Sequence, residues 1–465
     1  MSFDKNTPAT GRIESLLDEN SFVELMSNVT ARSTDFNLNE VDTPSDGVIT
    51  GHGLIDGNLV YVYCQDSSVL GGTIGEMHAR KIKNIYDLAI KTGAPIISIL
   101  DSNGIRLQES FDALESLGTI LDAASKASGI VPTISCVVGN CGGGLSVLAG
   151  LSDFCFMTES ANLFLNSPDS IPGNNIDLND TSNASFASEH SGVADLVSSE
   201  DEMFEKVRSL ISFLPGSFDE GYRTEETEDD LNRASDVDDY LSNTVEFIKE
   251  IADDNEFVEV KSEYGKSMVT GFIRLSGTTI GVVANDFNEA GEFSASGVKK
   301  ASAFVRFLDS FDIPLLTLTD AKGYERSIES ERELIIELSR FVSTLSEADV
   351  PKVNLITNNA FGSAYVLMNS KSTGADLVYA YPDAEMGIMD SDKASLIICP
   401  DGTEDERESV RDEFEEKSQG LNNALRRGFV DRVIEHVDTR KYLIAGFEML
   451  FSKREKDIVK KHSSK

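Results

Sequence analysis

A fixed spacing of 219 residues runs through this chain and limits what it can fold into. Pro95-Ile96-Ile97-Ser98-Ile99-Leu100-Asp101-Ser102-Asn103-Gly104 returns as Pro314-Leu315-Leu316-Thr317-Leu318-Thr319-Asp320-Ala321-Lys322-Gly323. Val131-Pro132 returns as Val350-Pro351, and Asn140 to Gly144 returns as Asn359-Ala360-Phe361-Gly362-Ser363, in the same register. The pattern Ile49-Thr50-Gly51-His52-Gly53-Leu54-Ile55-Asp56-Gly57 recurs as Val269-Thr270-Gly271-Phe272-Ile273-Arg274-Leu275-Ser276-Gly277. With a small shift, Asp153-Phe154-Cys155-Phe156-Met157 pairs with Asp376-Leu377-Val378-Tyr379-Ala380, and residues 191–197 pair with 427–433. Chance similarity does not hold one register this long, so the chain is a duplication of one structural unit.

Within each copy, short apolar runs alternate with longer stretches of helical period, which predicts an α/β fold. In the first copy the opening helix carries Arg12-Ile13-Glu14-Ser15-Leu16-Leu17. Strands are expected at 48–54 and 59–63, joined by Asp56-Gly57, a hairpin signal. A helix is expected from about Gly75 to Lys91, with Gly93 as its C-cap, then a strand at 95–100 and a helix over 112–128. The strand 133–138 feeds the turn Val138-Gly139-Asn140-Cys141-Gly142-Gly143-Gly144-Leu145. A strand–glycine–helix turn presents bare backbone N–H groups that can cradle a phosphate or a developing oxyanion, or it can be a tight turn and nothing more. The second copy carries such a turn at the matching position, 359–363.

Charge narrows the partners. The net charge of -38 argues against nucleic acid as a partner, because phosphate contacts need clustered Lys and Arg. Part of the excess is local: residues 217–256 hold fifteen Asp/Glu against three Lys/Arg and read as a solvated acidic connector. A generally acidic, salt-adapted background accounts equally well for the remainder. The last residues are basic (Lys453, Arg454, Lys456, Lys460, Lys461, Lys465) and read as an exposed tail. The N-terminus, Met1-Ser2-Phe3-Asp4-Lys5, lacks the pattern of a signal peptide, and no run is long and apolar enough to span a bilayer. The five scattered cysteines (Cys64, Cys136, Cys141, Cys155, Cys399) read as free thiols in a reducing compartment. The reading is a cytoplasmic protein with domains at 1–216 and 257–465 and the connector between them.

The usual catalytic motifs are missing. There is no phosphate-binding loop ending in Gly-Lys-Ser/Thr and no dinucleotide fingerprint. Ser146 lacks a nucleophile-elbow frame, the five histidines show no metal-ligand spacing, and no metal is expected. His78 reads as structural. Backbone donors remain, and two oxyanion holes suggest two reactants, each with a carbonyl.

The residues carry a resemblance. Arg12-Ile13 followed by Ser21-Phe22-Val23-Glu24, Gly71-Gly72-Thr73-Ile74-Gly75-Glu76-Met77-His78, Asp101 to Glu109, Cys141-Gly142-Gly143-Gly144, Ala360-Phe361-Gly362-Ser363-Ala364-Tyr365 and Arg427-Gly428-Phe429-Val430-Asp431 together resemble the carboxyltransferase component of biotin-dependent acyl-CoA carboxylases and decarboxylases. The resemblance covers roughly residues 10–455 and is strongest to the propionyl-CoA carboxylase β and methylmalonyl-CoA decarboxylase α type. It implies two tandem crotonase-like domains. The N–H groups of Gly143 and Gly144 would receive the acyl-CoA thioester oxygen, and those of Gly362 and Ser363 the ureido oxygen of biotin. Carboxybiotin would release CO2, biotin would take the α-proton, and the enolate would attack, so the protein needs no acid or base of its own. Gly71, Gly72, Gly104, Phe361, Tyr365, Asp320 and Gly323 are implied as cofactor-binding positions. Biotin would arrive on a carrier protein, since the chain has no biotinylation site. A biotin carboxylase subunit or membrane decarboxylase subunits would be further partners. The family builds its active site between two subunits of a hexamer.

One segment departs from the family pattern. Asp320-Ala321-Lys322-Gly323-Tyr324 keeps the Asp, a Gly and an aromatic, but Glu333-Leu334-Ile335-Ile336-Glu337-Leu338-Ser339 stands where Gly-Ile-Ile-Arg is usual, and Asn103 replaces a common Gly. The altered segment leaves open a non-catalytic or regulatory carboxyltransferase-like subunit. A crotonase-type hydratase or isomerase is the third reading; it would need a carboxylate near the first turn, and Glu109 and Glu115 are the candidates.

Overall fold

The first unit opens with α1 (Pro8–Leu16), β1 (Val23–Leu25), β2 (Val48–Ile55) and β3 (Asn58–Gln65). Then follow α2 (Glu76–Thr92), β4 (Ile96–Ser102), α3 (Ser110–Ala127), β5 (Thr133–Gly142) and α4 (Ser146–Leu151). β6 (Phe154–Thr158), β7 (Asn162–Phe164), β8 (Leu196–Ser198) and α5 (Glu200–Phe213) complete it. These are the coordinates of a computed structural model that describes residues 7–33, 38, 41–287, 291–418 and 420–453. It divides into two units, Met1–Gly221 and Tyr222–Lys465. The sheet of the first unit runs β1-β2-β3-β4-β5-β6-β8, with β7 paired to β5. The strands from β3 onward pair in parallel, and β1, β2 and β3 are antiparallel. At the β2–β3 hairpin Asp56 and Gly57 both take positive φ (48° and 80°), which matches the twist of the strands. Helix α2 ends on Gly93 in the left-handed conformation, as its position predicts.

The second unit repeats the plan. It contains α6 (Thr244–Ile251), β9 (Val258–Val260), β10 (Met268–Leu275), β11 (Thr278–Asn285), β12 (Glu292–Phe293), α7 (Ala295–Ser310), β13 (Leu315–Ala321) and β14 (Gly323–Tyr324). α8 (Ile328–Glu347), β15 (Lys352–Phe361), α9 (Gly362–Leu367), β16 (Leu377–Ala380) and β17 (Glu385–Gly387) follow. The unit ends with α10 (Ser391–Ile398), α11 (Glu404–Ser418), α12 (Leu421–Arg426), β18 (Arg432–Val433) and α13 (Thr439–Leu450). Its sheet runs β9-β10-β11-β13-β15-β16-β18, with β17 paired to β15, the order of the first sheet strand for strand.

Close approaches explain why the repeat survives in the sequence. A methyl group on Gly51 would strike the Val23 carbonyl and the Phe22 ring; on Gly271 it would strike the Val258 carbonyl and the Phe257 ring. On Gly72 it would strike the Asp101 carbonyl, and on Gly291 that of Asp320. The Asp153 carboxylate accepts from the Thr133 amide at 2.8 Å, and Asp376 accepts from the Lys352 amide at 2.8 Å. Each pair fixes the same neighbouring strands in its own copy.

Three differences from the sequence reading have physical causes. β5 does not end at Val138. Asn140, Cys141 and Gly142 pair with Asn162, Leu163 and Phe164 of β7, a strand too short to announce itself, so the turn proper is confined to residues 143–145. The acidic stretch 217–256 carries α6, whose Phe247, Ile248 and Ile251 are buried in the core of the second unit. Lys453 is not exposed: its ammonium donates to the Val350 carbonyl at 3.0 Å and pairs with Asp376 at 2.9 Å. The rest of the basic tail, and Met1 to Lys5, lie outside the described residues. Among the described residues no helix is long and apolar enough to cross a membrane.

Candidate active site

The glycine turn of the first unit closes a cavity of about 490 Å³. Its walls include Gly142, Gly143, Gly144, Asn140, Asn103 and Gly104, with Ile74, Ile105, Leu117 and Phe164 supplying apolar surface. Gly143 sits at φ +62°, a conformation that favours glycine. Gly143 and Gly144 open the short helical turn that leads into α4, where the first N–H groups have no intrahelical acceptor. The turn is held from below: the Ser146 hydroxyl donates to the Gly143 carbonyl at 2.7 Å. A methyl on Gly143 would meet nothing within 4 Å, so this face of the turn is open.

Of the other first-unit candidates, Gly104 (φ +98°) lies in the cavity wall. Gly71 and Gly72 sit behind it, against the Asn103 side chain and the Asp101 carbonyl, where they let two segments pass closely. The carboxylates that an enoyl-CoA hydratase would need are not placed for that work. Glu109 is buried, with one oxygen on Arg106 at 2.8 Å and the other accepting from the Glu76 amide at 2.8 Å. Glu115 is exposed on α3.

Glu109 belongs to a buried polar cluster behind the cavity wall. The Arg106 guanidinium donates to Asp46 at 2.5 Å, to Glu109 at 2.8 Å and to the Thr73 carbonyl at 2.7 Å. The Ser45-Asp46-Gly47 turn takes three successive positive φ values (52°, 52° and 70°). The Lys81 ammonium pins it by donating to the Ser45 and Val48 carbonyls. The His78 ring Nδ1–H donates to the Asp46 carbonyl at 3.0 Å, and Nε2 faces the Gln65 amide at 3.3 Å. His78 is therefore structural. Burial, with Arg106 and Lys81 alongside, lowers its pKa to about 3. In the unfolded chain the ring takes a proton near pH 6.5. The folded value is depressed, so stability is fully present above about pH 6.5 and is lost as pH falls from there toward 3. Urea unfolding of wild type and His78→Gln between pH 6.5 and 4.5 should show a shallower pH slope for the variant. Equal slopes would remove this role.

In the second unit β15 runs into Gly362 (φ +60°) and Ser363. Asp320 is buried and aligns the approach: its carboxylate accepts from the Asn359 amide at 3.1 Å and side chain at 2.8 Å. The segment after Asp320 reaches the turn through Tyr324, whose hydroxyl donates to the Ser363 hydroxyl at 2.8 Å. Gly323 (φ +156°) sets up that reach. Phe361 is buried, and Tyr365 packs against the apolar cluster around Ile356, with burial raising its hydroxyl to about 12. Tyr324 also borders an open hollow of about 830 Å³ along α8, lined by Leu334, Ile335 and Leu338 from the altered segment.

The carboxyl transferase domain model matches residues 5–464. The chain belongs to the carboxyl transferase family. It is a carboxyltransferase built from two crotonase-like halves in tandem. It is 37% identical to the methylmalonyl-CoA decarboxylase subunit alpha of Propionigenium modestum, over 98% of this chain and 92% of that one. It is 38% identical to the propionyl-CoA carboxylase beta chain of Roseobacter denitrificans, over 98% and 93%. The solved transcarboxylase 12S with hydrolysed methylmalonyl-CoA bound superposes with a TM-score of 0.94 at 32% identity, covering 98% of this chain and 92% of that one.

Sequence reasoning missed the Asp46–Arg106 pair, Tyr324 as a partner of Ser363, and Phe164. The first and last carry no local signature. Tyr324 had one: it is an aromatic directly after Gly323, on the segment that follows the aligned Asp320.

Proposed function

We propose that this carboxyltransferase moves a carboxyl group between carrier-bound biotin and a short acyl-CoA, of the propionyl-CoA/methylmalonyl-CoA or acetyl-CoA/malonyl-CoA pair. The observation that carries the reading is the pair of glycine turns at equivalent places in the two copies, each at a positive-φ glycine that opens a helical turn. Gly143 and Gly144 receive the thioester oxygen through their N–H groups, where charge develops as the α-carbon becomes an enolate. Gly104 forms part of the same wall, and Gly71 and Gly72 shape the loop behind it.

The second turn suits a neutral ureido carbonyl. Ser363 keeps its backbone N–H, and Gly362 leaves the approach open except toward the Ile388 carbonyl, 3.1 Å from where a methyl would stand. Gly362 and Ser363 would hold biotin, with Asp320, Gly323, Phe361 and Tyr365 shaping the seat. When bound, biotin supplies the carboxyl carrier and the base. The chain itself binds, orients and stabilises charge, in keeping with the engagement of Glu109 by Arg106.

We place the protein in the cytoplasm, working with a biotin carboxyl carrier protein and with a biotin carboxylase or membrane decarboxylase subunits. We propose a hexamer, as the transcarboxylase 12S structure describes for that protein. Exposed apolar side chains support an assembly: Leu107 and Phe111 near the start of α3 are 86% and 79% exposed, and Ile328 and Ile335 on α8 are 72% and 69% exposed. The test is carboxyl transfer from labelled methylmalonyl-CoA or malonyl-CoA to biotin by the purified protein. Labelled carboxybiotin is expected. No transfer from any short acyl-CoA would overturn the reading.

A further inference from the structure

We propose that Phe164 and Leu117 set the size of the acyl group that the first site accepts. The inference rests on the carboxyl-transfer reading and adds a specificity determinant to it. Three successive glycines run from the last residue of β5 into the turn, and their surroundings differ. The Cα face of Gly143 is open for 4 Å. A methyl on Gly142 would lie 2.6 Å from the tip of the Phe164 ring, and one on Gly144 would lie 2.8 Å from a methyl of Leu117. Both side chains therefore rest directly on the turn, one on each flank of the open glycine, and both line the same cavity.

Each is held by regular structure. Phe164 stands opposite Gly142 in the β5–β7 register, so the ring is fixed by the strand pairing that extends β5. Leu117 projects from α3 and is 7% exposed. A thioester oxygen held on the Gly143 and Gly144 N–H groups puts the acyl chain one bond away from the carbonyl carbon. On the two flanks of the turn, the apolar surface nearest such a chain is the Phe164 ring and the Leu117 methyls. Apolar walls on rigid elements discriminate chain length by the space they leave, and one methylene is worth about 10–200-fold in a fitted pocket.

The experiment measures kcat/KM for acetyl-CoA, propionyl-CoA and butyryl-CoA in the holoenzyme assembled with its biotin-carrying partner. Phe164→Ala and Leu117→Ala are each expected to raise the butyryl/propionyl ratio by about tenfold. Leu117→Phe is expected to lower the propionyl/acetyl ratio. An unchanged butyryl/propionyl ratio in both alanine variants, with wild type active on propionyl-CoA, overturns this proposal and leaves the carboxyl-transfer reading standing. A wild type inactive on every acyl-CoA overturns both. Should Phe164→Ala fail to fold, by loss of its cooperative thermal transition, Phe164→Leu and Leu117→Ala read the same ratio and decide.

Discussion

Gly144→Pro is expected to lower kcat/KM for carboxyl transfer by about 10²–10³, the usual effect of losing one oxyanion donor, while Gly144→Ala retains most of the activity. The two substitutions separate the N–H from everything else at this position. Gly144 is not among the positive-φ residues, and it lies in the first turn of a helix, where proline is tolerated. Alanine keeps the donor, and its methyl meets a single neighbour, the terminal methyl of Leu117 at 2.8 Å, which a rotation that moves the tip by a few tenths of an ångström relieves without moving α3. Gly143 is a poorer probe. Its φ of +62° is closed to proline, whose ring fixes φ near -65°, so a loss of activity there would mix chemistry with misfolding. Thermal unfolding and steady-state kinetics on both Gly144 variants make the measurement. Equal activity in the two, with both folded, would show that the Gly144 N–H is not a donor in the reaction.

The sequence carried the fold where backbone meets backbone. Gly51, Gly72, Gly271 and Gly291 recur because any side chain would collide with a carbonyl, and Asp153 and Asp376 recur because each accepts a strand amide. These constraints act on single residues and so leave a readable repeat. The two glycine turns were legible for the same reason. Other features depend on distant partners. Asp46 looks like ordinary turn chemistry in Thr43-Pro44-Ser45-Asp46-Gly47 until Arg106, sixty residues later, is brought against it. Phe164 belongs to a three-residue strand with no period to detect. α6 was hidden by averaging: its acidic surroundings mask the buried Phe247, Ile248 and Ile251.

Arg106→Leu is expected to destabilise the protein by about 3–5 kcal/mol, because it leaves two buried carboxylates without their cation. The side chains of Arg106, Asp46 and Glu109 are all fully buried. Burial raises the Asp46 carboxyl above the usual range even with Arg106 in place, and Arg106 opposes that rise. Without the guanidinium the folded-state pKa climbs further. A raised carboxyl pKa gives stability that is present below the unfolded value and lost as pH rises through the folded one. The deficit of Arg106→Leu should therefore be larger at pH 8 than at pH 5. Adding Asp46→Asn and Glu109→Gln to Arg106→Leu should recover part of the loss and flatten its pH dependence. Arg106→Lys should not substitute, since a single ammonium cannot match the planar fork that reaches Asp46, Glu109 and the Thr73 carbonyl together. The same bonds tie the strained 45–47 turn to the 103–107 segment of the cavity wall, where the Arg106 amide donates to the Ile74 carbonyl at 2.9 Å. Activity on acyl-CoA should fall with stability in the leucine variant. Urea unfolding at the two pH values is the measurement, and a pH-independent loss below about 1 kcal/mol, the scale of an exposed ion pair, would show that the cluster does not hold the wall.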